Sequence, residues 1–187
     1  MKDFVEKLVE ANSWATSYAM EPYDSYKRRK GYMDKLLRAL AEAMGKAPDG
    51  RFVPLLQYMA NVVANQMGLG KTEPEREAAF STMSRLLNSL IDLITRMEEG
   101  KDLPGHSDLS ERVMDILEMM EYRPSVRTLG KVQRLVEEMY RLIDRVLGEG
   151  RVSERVLSAL DEVVFVLSRG EEEALDEARS LLRGVRP

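Results

Sequence analysis

The densest run of one charge in the chain is Lys27-Arg28-Arg29-Lys30, which follows Tyr26 directly and is flanked by Tyr23 and Tyr32. Between Pro22 and Ala47 there are seven basic and three acidic residues, a local net of +4, which leaves −8 for the rest of a chain whose formal charge is −4. Placed on a helix, Arg28, Lys35 and Arg38 share a face turned away from Leu37, Leu40 and Met44. Such a stripe can follow a phosphate backbone while interleaved tyrosines stack on bases. Tyr26, Lys27, Arg28, Arg29, Lys30, Lys35 and Arg38 therefore form a candidate nucleic-acid-binding set. The other reading of the same residues is a solvated helix face whose tyrosines pack on the preceding helix.

Three shorter motifs carry other chemistry. Met67-Gly68-Leu69-Gly70-Lys71-Thr72 resembles the phosphate-binding motif of Snf2-like helicases over six residues. That resemblance implies Lys71 and Thr72 as nucleotide ligands. Asn65 stands where the broader pattern has glycine, and the preceding segment has helical periodicity, so a glycine C-cap followed by a threonine N-cap fits the same residues. Arg123-Pro124-Ser125-Val126-Arg127, with Leu129, resembles part of the helix-turn-helix of the LexA repressor family. It implies a secondary DNA-contacting set of Arg123, Arg127, Lys131 and Arg134, although the apolar pattern continues unbroken through 131–147 where that family has a turn. Glu118 and Glu121 resemble the first half of the metal-binding motif of MazG-like all-α nucleotide pyrophosphatases. The E-x-x-D half is missing, since Glu137 leads to Tyr140 and Glu138 to Arg141; Glu173 and Asp176 have that spacing far downstream.

Composition closes several routes. There is no cysteine, which removes thiol catalysis, disulfides and thiolate metal sites. The single histidine, His106, sits between Gly105 and Ser107 in an expected loop without an acid or nucleophile nearby. No catalytic residue, metal site or cofactor is expected, and the protein is read as non-enzymatic. Charged residues make up 32 % of the chain and Asn and Gln are scarce, a thermophile-like balance set against twelve methionines. No apolar run approaches a membrane span and the N-terminus lacks a signal-peptide core. A cytoplasmic protein with no membrane association is expected.

The elements that must position these residues are helical throughout. Phe80, Met83, Leu87, Leu90, Ile94 and Met97 alternate at three and four residues, predicting a helix over 72–99 about 40 Å long. Thr72 and Glu75 form a capping box and Gly100 ends it. Further helices are predicted over 2–20, 24–44 and about 53–67, then 108–122, 125–147, 153–170 and from 171 to the C-terminus. The second carries Met33, Leu37, Leu40 and Met44, with a bend or frayed start at Gly31.

The expected fold is an all-α bundle of about eight helices, mostly antiparallel neighbours, with a division near 100–107 between an N-terminal half (1–100) and a C-terminal half (107–187). Eight methionines on or beside the apolar stripes suggest an adaptable surface. The leading expectation is therefore a helical interaction or regulatory protein, self-associating or bound to a protein partner. The alternative is a nucleic-acid-binding accessory protein using the helix at 23–38. A nucleotide- or metal-dependent enzyme ranks third.

Overall fold

A computed structural model describes residues 1–21, 26–66 and 71–187. Tyr23, the expected helix start at Asp24, and Met67 to Gly70 of the glycine motif lie outside the described residues. Eight α-helices occupy the described chain: α1 (Lys2–Met20), α2 (Tyr26–Lys46), α3 (Val53–Gln66), α4 (Glu73–Glu99), α5 (His106–Met119), α6 (Val126–Glu149), α7 (Glu154–Leu167) and α8 (Glu173–Arg183). There is no strand among the described residues, and no described helix is long and apolar enough to cross a membrane.

Local chemistry sets the helix ends. Thr72 and Glu75 make the reciprocal capping box: Thr72 N–H donates to Glu75 Oε2 (2.9 Å) and Glu75 N–H to Thr72 Oγ1 (3.3 Å). Ser153 accepts from Val156 N–H and caps α7. Asp49 accepts the Arg51 N–H at a single 3-10 turn before α3, and the Arg51 guanidinium beside it holds its carboxyl below the usual range. His106 is not in a loop. It opens α5, and its Nε2 donates to the carbonyl of Met97 at 2.8 Å.

The chain packs as two compact units. The first comprises 1–88 and 122–130, the second 89–121 and 131–187, so the breaks fall within α4 and α6 and the turn at 100–107 lies inside the second unit. That turn is tight. Gly105 has φ +83°, and a Cβ there would meet the Val152 Cβ at 3.0 Å. Glycine is needed for both reasons.

In the first unit the core gathers Phe4, Leu8, Ala11, Ala15 and Tyr18 of α1 with Leu36 and Leu40 of α2, Leu56, Met59 and Val63 of α3, and Phe80, Met83 and Leu87 of α4. A polar rail joins α1 to α4, in which Asn12 Nδ2 donates to Asn88 Oδ1 (2.8 Å), Ser84 Oγ donates to Asn12 Oδ1 (2.6 Å), and the Thr16 and Ser84 hydroxyls lie 2.8 Å apart. The buried stripe of α2 is Arg29, Met33, Leu36, Ala39, Leu40 and Ala43. Leu37 and Met44, expected in the core, are only half-buried. The helix is turned so that alanines face inward, because small side chains let another helix approach closely and larger ones then fit the edges. α2 runs through Gly31 without a break, and a Cβ there would meet no atom within 4 Å. Gly31→Ala is thus expected to raise stability by about 0.5–1 kcal/mol, read from the denaturation midpoint, and a fall would show that the helix needs glycine there.

In the second unit Leu90 and Leu93 of α4, Leu109, Val113 and Ile116 of α5, Leu135, Met139, Leu142 and Val146 of α6, Leu160 and Val163 of α7, and Leu175 and Leu182 of α8 form the core. Met97, the last residue of the predicted α4 stripe, is half-buried. Charge is buried here too. Glu138 is 3 % exposed and meets Arg141 (3.2 Å), Arg183 (3.5 Å) and Arg179 (3.9 Å). Arg96 reaches Asp144 at 3.1 Å, and Arg112 pairs with Asp161 at 2.8 Å.

Candidate nucleic-acid interface

α2 sorts the basic cluster by geometry. Arg29 is 1 % exposed, so it is not the solvent-facing phosphate ligand that the run of cations suggested. Its position, four residues before Met33, puts it on the buried stripe. There its guanidinium pairs with Glu73 of α4, donates through Nη2 to the Glu21 carbonyl (2.7 Å), and lies 5.0 Å from the centroid of the Tyr18 ring.

The neighbours of Arg29 face outward. Tyr26 is 66 % exposed, and Lys27, Arg28 and Lys30 are exposed with it. Arg28 is 3.5 Å from Glu21, with its side chain three-quarters in solvent. Lys35 and Arg38 continue the row on the next turns, both exposed. Lys35 Nζ sits 4.4 Å above the Trp14 ring, and Trp14 in turn stacks on Tyr32 at 6.0 Å. Tyr32 therefore packs on α1, as in the solvated-face reading of this cluster, while Tyr26 stays free of ring partners among the described residues. Asp34 is the acid interrupting the exposed row between Lys27 and Arg38.

Where α2 faces α1 and α4, a recess is lined by Tyr18, Tyr26, Arg29, Lys30, Met33 and Arg76. Glu73 holds its two guanidinia at once, through Oε1 to Arg76 Nη1 (2.7 Å) and through Oε2 to Arg29. Arg76 Nε also donates to the Gln66 carbonyl at 3.0 Å. Burial pushes the Tyr18 phenol above its ordinary range, and the Glu73 carboxylate adds to the shift, so its hydroxyl is a donor at neutral pH. Sequence reasoning missed Arg76, whose only signal was its place in the first turns of α4, and missed that Glu73 would organise two arginines.

The secondary candidates do not assemble. Lys131 is buried and bound to Asp176 (2.8 Å) and Glu172 (3.6 Å), which removes it from phosphate contact. Arg123 and Arg127 are exposed in the first unit, and Arg134 is half-buried in the second. α6 is one helix from Val126 to Glu149, so no turn follows Leu129 and the helix-turn-helix is not formed. Thr72 caps α4 with its hydroxyl, the bland outcome for that residue of the glycine motif, and Lys71 precedes it outside any helix. Glu121 lies beyond the end of α5, so it does not share a helix face with Glu118. No group of three potential metal ligands occurs among the described residues. No protein-family model, curated protein or solved structure matches this chain.

Proposed function

We propose that the protein is a non-enzymatic nucleic-acid-binding accessory protein, and that the outer face of α2 is its contact surface. The observation that carries this is the exposed row Lys27, Arg28, Lys30, Lys35 and Arg38, joined by an exposed Tyr26, on a chain that is otherwise acidic. Cations concentrated on one face of an acidic protein orient it toward a polyanion and turn the acidic remainder away. An aromatic ring free to stack favours single strands, whose bases are open.

Of the methionines behind the self-association first expected, Met33, Met59, Met83, Met120 and Met139 are buried while Met44 and Met97 are half-buried. Met1, Val9, Met20, Tyr26 and Phe165 are the large apolar side chains left exposed among the described residues, and single exposed side chains do not make an interface.

Anisotropy of labelled single- and double-stranded DNA and RNA, titrated with salt, tests the reading. Single strands should bind at low salt and weaken steeply as salt rises. The triple charge reversal Lys27→Glu, Arg28→Glu, Arg38→Glu should flatten the logarithmic salt slope by about 2, at roughly 0.7 per lost phosphate contact. Absence of binding at low salt, or a slope untouched by the triple variant, removes α2 as a nucleic-acid face.

A further inference from the structure

We infer that the recess beside Tyr26 is a phosphomonoester site that reads the phosphorylated end of a nucleic-acid strand, an inference that rests on the nucleic-acid reading of α2. Its volume is about 40 Å³. At roughly 10–15 Å³ per water it holds about three, close to the space of the three terminal oxygens of a phosphoryl group. Buried Tyr18, Arg29 and Met33 form its inner lining, and exposed Tyr26 and Lys30 its rim.

The charges match a dianion. Arg29, Lys30 and Arg76 contribute +3 and Glu73 contributes −1, leaving +2 at the recess. A terminal phosphate carries about −1.5 to −2 at neutral pH, whereas an internal phosphodiester carries −1. Donors are in place as well. Arg76 commits Nε and Nη1 to protein oxygens, and its Nη2 is engaged by no described residue. Lys30 forms no ion pair with any described carboxylate. The carboxylate of Glu73 fixes both guanidinia before any ligand arrives, which lowers the ordering cost of binding.

Shape points the same way. An internal phosphodiester is flanked by sugars on both sides, whereas a terminal phosphate carries one and is the less bulky group for a recess of this volume. Tyr26 stands at that rim, 66 % exposed and with no ring partner among the described residues, so the terminal base can stack there while its phosphate goes inward. The remaining nucleotides would then run along Lys27, Arg28, Lys35 and Arg38.

The test compares single strands of one sequence ending in 5′-phosphate, 3′-phosphate or hydroxyl at both ends, by anisotropy at fixed salt. One phosphorylated end should bind about tenfold tighter than the hydroxyl strand. Arg76→Gln should reduce that advantage to about twofold or less while leaving the hydroxyl strand nearly unchanged, and Lys30→Gln should reduce it likewise while also weakening the hydroxyl strand, since Lys30 belongs to the exposed α2 row. Lys30 is solvent-facing, so its variant reports on the site without touching the core. Equal affinity for all three strands in the wild-type protein would overturn the end-recognition site while leaving the α2 face standing; no binding of any strand would overturn both. Displacement of the strand by an equal concentration of a 5′-mononucleotide would assign the recess to free nucleotides and overturn the strand-end assignment. Retention of the full tenfold advantage in both variants would place the preference elsewhere.

Discussion

Glu73→Ala is expected to cost about 3–5 kcal/mol of stability, the usual penalty for leaving one member of a buried ion pair without its partner. Without Glu73 the Arg29 guanidinium loses its carboxylate, and at 1 % exposure water does not replace it. The loss falls on the first unit, where α2 and the start of α4 are joined by this pair. Arg76 loses its 2.7 Å partner in the same substitution. The double variant Arg29→Met, Glu73→Gln should recover most of the loss, because an apolar side chain of similar length suits the stripe above Met33 and the most deeply buried charge is removed with its partner, although Arg76 still loses its carboxylate. Urea denaturation of the single and double variants decides the matter. A single variant costing less than about 1 kcal/mol would mean that the pair is hydrated and that Arg29 is available to solvent after all.

Phe80→Ala should cost a comparable amount, about 3–5 kcal/mol. The ring is 1 % exposed and stacks on Tyr18 with centroids 3.8 Å apart, so truncation removes buried apolar area, opens a cavity and takes away the support of Tyr18. Tyr18 also carries Arg29 on its ring. The substitution should therefore loosen the α2 recess as well as the core, seen as faster amide exchange across α2. Phe80→Leu should cost far less, since most of the volume is kept. Equal effects of the two substitutions would show that the stacked geometry, rather than the filled volume, is what matters at this position.

These two positions separate what is local from what is not. Phe80 was legible in the sequence because it belongs to an unbroken three-four repeat that runs on through Met83, Leu87, Leu90 and Ile94, all buried. Arg29 was legible only as one of four adjacent cations. Nothing within Lys27 to Lys30 distinguishes the residue that enters the core from the three that stay in water. That choice follows from the rotation of α2, and the rotation is set by alanines at 39 and 43, which carry little weight when large apolar residues are used to find the stripe.

The same division holds in the second unit. Lys131 and Glu138 look like ordinary surface charges in sequence, yet both are buried, one against Asp176 and Glu172 and the other among Arg141, Arg179 and Arg183. Their partners are mostly 41 to 45 positions away along the chain, beyond the reach of any helical periodicity.

By itself the sequence determined the helical class, the span of α4, the capping box at Thr72, the N-cap at Ser153 and the concentration of positive charge on α2. Each depends on residues within a few positions of one another, where backbone hydrogen bonding and side-chain spacing decide the outcome. Only the tertiary structure decided which cations of α2 reach solvent, that Arg76 joins them at a recess, and which segments gather into each of the two compact units. Those outcomes depend on which helix covers which face, and burial of a charge is tolerated only where a distant segment brings its counter-charge.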